Sequence, residues 1–295
     1  MKPFVLYCKS YRTDILRVER LCKSVNKFNL DNLPFYVTCP TSDLALFNER
    51  LHGLGATIVS DEEILSLSRD LDLTSIADLP GSITQQIVKS EFWRLGISES
   101  ALCLDSDAIF IRPFAQADFI DESGVPFTVI DEAHELLEEA IRKRKQRVID
   151  AYNKDADKIQ NLFERKGRRY NYGPMPLVWH RSVWESLEEK YLRPRNMNFA
   201  DAIRMAPSEI RWYGEALLRF GAIPLRPCQS LFKVYHYAWE HDRDRKAGVT
   251  TENLASLYIG VIYQSAWERN LDWPSEGGNF MSRLGRTIRR SMGRI

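Results

Sequence analysis

The chain has 295 residues, of which 44% are hydrophobic and 27% charged, and its formal net charge is +1. This length allows one large α/β domain or two small ones, and the composition is ordinary for a globular protein. A net charge so close to zero gives no overall attraction to nucleic acid or to an anionic membrane.

The five cysteines are odd in number, widely spaced and never part of a CxxC motif. Cys8, Cys39 and Cys103 lie in apolar, strand-like runs, which favours buried free thiols and predicts a reducing, cytoplasmic location. The first residues lead directly into an apolar strand and lack the features of a signal peptide. No apolar run reaches the ~18 residues that a membrane-spanning helix needs.

In chain order, the first third of the sequence alternates between apolar runs typical of strands and segments with helical spacing. The predicted strands are 4–8, 34–39, 56–59 and 101–104, and the predicted helices are 14–28, 43–54 and 84–95. Because strands and helices alternate, we expect a mostly parallel central sheet with helices on both faces.

The rest of the chain is less regular. It contains predicted strands at 125–130, 174–180 and 232–237, and predicted helices at 183–191, 208–220 and 250–267. Residues 132–169 form a long, charge-rich helical segment whose basic run is largely offset by acidic residues. We expect a solvated helical insertion there, with a lid or an acceptor-docking hairpin as the functional alternative.

The last sixteen residues, 280–295, contain five arginines and no acidic residue. Their apolar residues share one face of a helix: Met281, Leu284, Ile288, Met292 and Ile295. A basic amphipathic helix of this kind favours binding to an anionic membrane surface. An ordinary terminal helix packed on the domain, or a disordered basic tail, is the alternative.

The strand at 101–104 ends at two carboxylates, Asp105 and Asp107. Open α/β sheets bind their ligands at strand ends. Two hard oxygen ligands suit Mg²⁺ or Mn²⁺, and such an ion in turn suits a diphosphate. A solvated turn that happens to contain two Asp is the alternative interpretation.

Four segments together resemble the GT-A glycosyltransferases, and more narrowly a group of bacterial polysaccharide-type enzymes with that fold. The segments are QQIVK at 85–89, DSDAIF at 105–110, GPMP at 173–176, and the helix start at 208–214 with its Ser-Glu and Trp-Tyr-Gly. The resemblance spans roughly residues 3–240 and implies an α/β, Rossmann-like nucleotide-sugar fold.

The resemblance implies a metal site and a donor site. Asp105 and Asp107 match the Asp-x-Asp pair that holds Mn²⁺ or Mg²⁺ on the donor diphosphate, and Asp105 also matches a contact to the donor ribose or sugar. His236 matches a late metal ligand, although the usual His-x-x-Gly context is missing and a structural histidine is the alternative. Lys89 matches a basic residue near the donor.

Further site residues complete the expected set. Gln86 and Tyr213 are expected donor-binding residues, with the core as the alternative place for Tyr213. Glu209 follows a predicted helix cap, so it is either an ordinary first-turn acid or a general base toward the acceptor hydroxyl. Asp131 is the second candidate base for an inverting reaction.

These features predict one catalytic domain over 1–279, with a nucleotide-sugar half at 1–115 and an acceptor-side half at 170–279. The expected reaction moves a sugar from a nucleotide-sugar donor to a bacterial glycan or lipid-linked acceptor at the inner face of the cytoplasmic membrane, without nucleic acid. A non-catalytic carbohydrate-binding or scaffold protein is the alternative. An Asp-x-Asp phosphatase is disfavoured, because there the acidic pair normally ends the first strand.

Overall fold

The computed structural model describes residues 2–68, 71–236 and 238–264. Its strands are β1 (Lys2–Lys9), β2 (Phe35–Cys39), β3 (Ala56–Ser60), β4 (Ser98–Leu104), β5 (Ala108–Phe110), β6 (Phe127–Val129), β7 (Leu177–His180), β8 (Arg226–Cys228), β9 (Phe232–Tyr235) and β10 (Gly260–Tyr263). Its helices are α1 (Ile15–Phe28), α2 (Leu44–Arg50), α3 (Asp61–Ser66), α4 (Thr74–Ala77), α5 (Gly81–Glu91), α6 (His134–Arg142), α7 (Gln146–Leu162), α8 (Arg181–Leu187), α9 (Phe199–Met205), α10 (Glu209–Phe220), α11 (Ala238–Lys246) and α12 (Thr251–Ala255). None of these helices is long and apolar enough to cross a membrane.

The central sheet has five strands in the order β3-β2-β1-β4-β7. The first four are parallel, and β7 pairs with β4 in the antiparallel orientation. From Phe4 onward β1 is buried on both faces, as its continuous apolar run predicts for a parallel strand covered by helices on both sides. The expected α/β class with a mostly parallel sheet is confirmed.

Two apolar layers cover this sheet, because alternate side chains of a strand point to opposite faces. One layer contains Tyr7 and Cys103 together with side chains of α5, α8 and α10. The other contains Leu6 and Leu104 together with side chains of α1 and α2. Helices α5 and α10 are therefore both packed on the same side of β4, near the acidic pair that follows it.

A second, smaller sheet has the order β5-β10-β9 and corrects one prediction. The expected helix at 250–267 is wrong beyond α12, because Gly260–Tyr263 form a strand antiparallel to β5 and parallel to β9. Val261 and Ile262 are β-branched and buried, which favours a strand. A side chain at Gly260 would place its Cβ 2.0 Å from the ring of Phe232. The remainder of that predicted helix and the tail 280–295 lie outside the described residues.

The expected helical segment at 132–169 contains two helices, α6 and α7. The chain reverses between them at Arg144, whose φ is +54°. After α7, Arg165 donates two hydrogen bonds to the Glu215 carboxylate of α10, at 2.5 and 2.9 Å. The hydroxyl of Tyr172 donates to the same carboxylate at 2.8 Å. These contacts attach the end of the insertion to a core helix.

Candidate active site

The candidate site lies at the centre of the sheet, where β1 and β4 are neighbours. β2 lies on one side of β1 and β4 on the other, so the strand order changes direction between β1 and β4. Open α/β sheets bind ligands at such a point, outside the carboxyl ends of the strands. Asp105 directly follows the last residue of β4, at this end.

Lys89 of α5 links two carboxylates that are far apart in the sequence. Its ammonium lies 2.7 Å from Oδ1 of Asp105 and 3.5 Å from Oε1 of Glu209. Burial alone lowers the pKa of Lys89, because it disfavours the charged form. The two carboxylates outweigh burial and hold the pKa of Lys89 well above its ordinary value, so Lys89 is charged at neutral pH.

Glu209 is the first residue of α10, as the sequence predicts. Ser208 caps the helix by accepting a hydrogen bond from the backbone N–H of Arg211. Oε1 of Gln86 accepts a hydrogen bond from the N–H of Glu209 at 3.3 Å, so Gln86 contacts the helix start. Burial raises the pKa of Glu209, the charge of Lys89 acts against this, and Asp105 adds to it.

Asp105 is the most accessible member of this cluster. Its side chain is 30% exposed, whereas those of Lys89 and Glu209 are 3% and 9% exposed. A general base must come within hydrogen-bonding distance of the acceptor hydroxyl. In this structure Glu209 approaches Lys89 instead, because the first turn of α10 packs against α5. The geometry therefore favours a second role for Glu209, that of a group that positions Lys89, while its role as an acceptor base stays a prediction.

A tight turn joins the central sheet to the small sheet. In it, the N–H of Ala108 donates to the carbonyl of Asp105 at 3.1 Å. Asp107 is 4% exposed, and its carbonyl accepts a hydrogen bond from the N–H of Tyr263 in β10 at 3.2 Å. Asp105 thus ends a strand of one sheet and Asp107 precedes a strand of the other, so the two carboxylates have different surroundings.

His236 directly follows β9, at the same end of the small sheet as Asp107. Tyr235 pairs with Tyr263, and Tyr263 bonds to the carbonyl of Asp107, so β10 separates the two candidate ligands. Burial and the charge of Lys233 lower the pKa of His236 to about 4, so its imidazole is neutral, the form that binds metals.

The expected three-ligand set is not gathered into a cluster. Within residues 2–68, 71–236 and 238–264, no three His, Cys, Asp or Glu side chains stand close enough together to hold a metal ion. Asp105 and Asp107 remain two carboxylates on one turn. This arrangement suits a cation that takes its other ligands from a substrate phosphate and water, as Mg²⁺ commonly does.

A cavity of about 1280 Å³ lies between the insertion helices, the start of α10 and β9. Ser208, next to Glu209, lines it, and so does His236. Asp131 also lines the cavity; its Oδ1 accepts a hydrogen bond from the N–H of Ala133 at 2.6 Å, and burial raises its pKa. Asp131 is thus the candidate base that faces a space large enough for an acceptor.

Tyr213 lies in the core, which is the alternative that the sequence leaves open for it. It is 4% exposed, and its ring lies 5.9 Å from that of Trp179 and 5.1 Å from that of Trp184. Its hydroxyl accepts a hydrogen bond from the N–H of His180 at 2.8 Å. The helical spacing of α10 places this residue on the buried face.

Two residues of the cavity wall, Arg211 and Tyr152, are not predicted as site residues by the sequence. Both line the cavity, although they lie on different helices, α10 and α7. Arg211 stands two positions after Glu209, at a helix start that the sequence does identify. Tyr152, which contacts Arg211, lies in a segment whose charge pattern predicts only a solvated helix. No feature of the sequence therefore indicates that the two side chains meet.

The chain belongs to a family of unknown function (DUF6492), whose model matches residues 3–247. No curated protein matches the chain. Among the solved structures that match is the galactosyltransferase LgtC in complex with donor and acceptor sugar analogues, which is 11% identical. That match covers 96% of this chain and 92% of the other, with a TM-score of 0.47.

Proposed function

For this member of a family of unknown function, we propose the transfer of a sugar from a nucleotide-sugar donor to a glycan acceptor. The observation that carries the proposal is the Lys89 cluster with Asp105 and Glu209, located at the carboxyl end of β4 next to a large cavity. A donor diphosphate fits the strand ends, and an acceptor fits the cavity.

The charges of the cluster favour a divalent cation. Two carboxylates, Asp105 and Glu209, share one ammonium, so negative charge remains at a site of which Asp105 is the exposed part. We propose that Asp105 and Asp107 hold Mg²⁺ or Mn²⁺ there, together with a substrate phosphate and water. Such an ion, when bound, stabilises the charge that develops on a leaving diphosphate.

In the proposed reaction, the protein's own residues would orient the carboxylate of Asp105 and deprotonate the acceptor hydroxyl. Lys89 fixes Oδ1 of Asp105 by an ion pair, and Glu209 in turn holds Lys89. In an inverting reaction, Asp131 would accept the proton of the acceptor hydroxyl. Its raised pKa brings this carboxyl closer to the operating pH, which favours general-base catalysis.

The acceptor and the location remain those expected from the sequence. We propose a bacterial glycan or lipid-linked oligosaccharide, made on the cytoplasmic side of the membrane. The basic, amphipathic pattern of residues 280–295 supports contact with an anionic membrane surface. Loss of salt-sensitive liposome binding after truncation at Asn279 would support this part, and unchanged binding would refute it.

Thermal unfolding of the full chain with a panel of nucleotide-sugars, with and without Mn²⁺, tests the proposal. We expect at least one donor to stabilise the protein only with Mn²⁺, by about 2.7 kcal/mol at a hundredfold excess over Kd. Asp107→Ala should abolish this stabilisation, and the matched surface variant Asp157→Ala should keep it.

The outcomes separate the parts of the proposal. If no nucleotide-sugar stabilises the wild type, the sugar-transfer proposal is wrong. If a donor binds equally well in EDTA and to Asp107→Ala, the metal assignment fails while donor binding stands. If a donor binds but is neither hydrolysed nor transferred to any glycan, the non-catalytic alternative holds.

A further inference from the structure

Arg211, in the first turn of α10, is a charged residue of the cavity wall to which the proposed reaction gives no role. It is 9% exposed and lines the cavity. Its guanidinium lies 4.7 Å from the ring centroid of Tyr152, and its Nη1 donates a hydrogen bond to the carbonyl of Tyr170 at 3.2 Å. These contacts fix the guanidinium in place, but neither supplies a negative charge.

Within the described part of the chain, no carboxylate oxygen lies within 4 Å of the Arg211 guanidinium. Buried charges are normally paired, because an ion that loses its hydration without gaining a counterion is destabilising. An arginine carries five N–H donors, of which the Tyr170 carbonyl engages one and the Tyr152 hydroxyl another, so that further donors remain. The guanidinium of Arg211 is therefore suited to bind an anionic group of a ligand.

Several acidic side chains of the same cavity already have cationic partners. Glu132 lies 2.5 Å from Arg168, and Glu139 lies 3.8 Å from Arg142 and from Arg243. The charges of these acidic residues are therefore offset locally. Neither of these acids pairs with Arg211. Asp131, Glu135 and Asp155 line the same cavity, and they too lie more than 4 Å from its guanidinium.

We propose that Arg211 binds an anionic group, a carboxylate or a phosphate, on the molecule that occupies this cavity. The planar guanidinium offers parallel N–H donors that match the oxygens of either group. This inference deepens the proposed function, on which it rests for the identity of that molecule as the acceptor. The substrate class that follows is an acidic glycan, one that carries a uronic acid or a sugar phosphate.

Binding of matched sugars to the full chain tests the inference without any donor. The probes are glucose, glucuronate and glucose 1-phosphate, and the corresponding galactose set, at constant ionic strength, with affinity measured by NMR titration. Because hydrogen bonds to charged groups are the strong ones, we expect an acidic sugar to bind roughly 10- to 100-fold more tightly than its neutral partner. Preference for the carboxylate or for the phosphate identifies which group the site accepts.

Variants assign that preference to Arg211. Arg211→Gln should remove it, and Arg211→Lys should keep part of it because the charge remains. The control is Arg243→Gln, since Arg243 lines the same cavity but lies 3.8 Å from Glu139 and 3.1 Å from Asp244. This variant should bind the acidic sugars as the wild type does.

The inference is overturned if neutral and acidic sugars bind the wild type equally, if no probe binds it, or if Arg211→Gln retains the preference. If Arg211→Gln does not fold, the wild-type comparison and Arg211→Lys decide. These measurements are independent of donor binding. If acidic sugars show no preference, the result of the nucleotide-sugar test is unaffected. If no nucleotide-sugar binds, the sugar titrations alone still decide whether Arg211 binds an anion.

Discussion

The ammonium of Lys89 and the carboxylate of Glu209 lie 3.5 Å apart, although they belong to different helices, α5 and α10. Both side chains are buried, so little water screens their interaction. The same ammonium holds Asp105 at 2.7 Å. Lys89, near the end of α5, therefore links the end of β4 to the start of α10 at the candidate site.

Lys89→Met should destabilise the protein more at pH 8 than at pH 5. Without the ammonium, Asp105 and Glu209 face each other as like charges, and the pKa of Glu209, already raised by burial, rises further. A carboxyl whose folded pKa exceeds its unfolded value stabilises the fold at low pH, and this contribution is lost as the pH rises through the folded pKa.

Denaturant unfolding at the two pH values measures this difference. Removal of one partner of a buried ion pair typically costs about 3–5 kcal/mol, and we expect a loss near that range at pH 8. The exposed Lys27→Met serves as the control and should change little. An equal loss at both pH values would contradict the role given to the two carboxylates.

Glu209→Gln distinguishes a positioning residue from a general base. If Glu209 positions Lys89, its substitution should weaken Mn²⁺-dependent donor binding and lower kcat at saturating donor only modestly. If Glu209 is the base, kcat should fall by roughly 10²-fold or more while donor affinity stays unchanged. Steady-state kinetics with separate donor titration gives the answer, with Glu188→Gln, in the Arg94 ion pair, as the matched control.

Asp61 should make stability depend on pH in the acidic range. Burial raises its pKa from 3.8 to about 6, against the opposing charge of Lys9, which lies 2.9 Å away. The folded state therefore holds this proton more tightly than the unfolded state does. Its stabilising contribution is complete below about pH 4 and is lost as the pH rises to about 6, by roughly 3 kcal/mol at most.

Asp61→Asn should flatten the curve of unfolding free energy against pH between pH 4 and 6. The surface variant Asp157→Asn should leave that slope in place. A wild-type curve without a fall in this window would show that Asp61 does not retain its proton. Burial also lowers the pKa of Lys9, which changes stability at alkaline pH, outside the window.

Gly214→Ala should destabilise the junction between the insertion and α10. An added Cβ would lie 2.1 Å from Cγ of Tyr172, whose buried ring cannot move away without breaking its hydrogen bond to Glu215. Overpacking of this kind costs typically 1–3 kcal/mol, about the loss that we expect by thermal unfolding. At Gly81 the added Cβ meets Tyr11 at an ordinary 3.6 Å, so Gly81→Ala should be neutral or slightly stabilising.

The first four strands of the chain and their mostly parallel pairing can be predicted from the sequence, because their apolar runs alternate with helical segments. The second half is harder to predict, and the short strand Gly260–Tyr263 shows why. A run of four apolar residues fits a helix end or a strand; its β-branched residues favour a strand, and the pairing with β5 and β9 decides. Helices α9 and α11, which the sequence pattern does not predict, are likewise short and follow irregular segments.

The candidate site, like the fold, can be predicted from the sequence only in part. The positions of Asp105 and Ser208 follow from a strand end and a helix cap, both of which are local signals. That Lys89 reaches Glu209, or that Arg211 lies over Tyr152, depends on how separate helices pack, and a single sequence carries no record of that packing. The sequence leaves the place of Tyr213 open for the same reason, because an aromatic side chain beside a helix start is compatible with either the core or a ligand contact.

The turn between β4 and β5 has a mechanical consequence. Asp105 directly follows the last residue of β4 in the central sheet, and the carbonyl of Asp107 accepts a hydrogen bond from Tyr263 of β10 in the small sheet. A ligand that binds both carboxylates would therefore act as a clamp between two otherwise separate sheets. Amide hydrogen exchange at Val261 and Ile262, a strand away from the ligand, would report such clamping as slower opening of the small sheet.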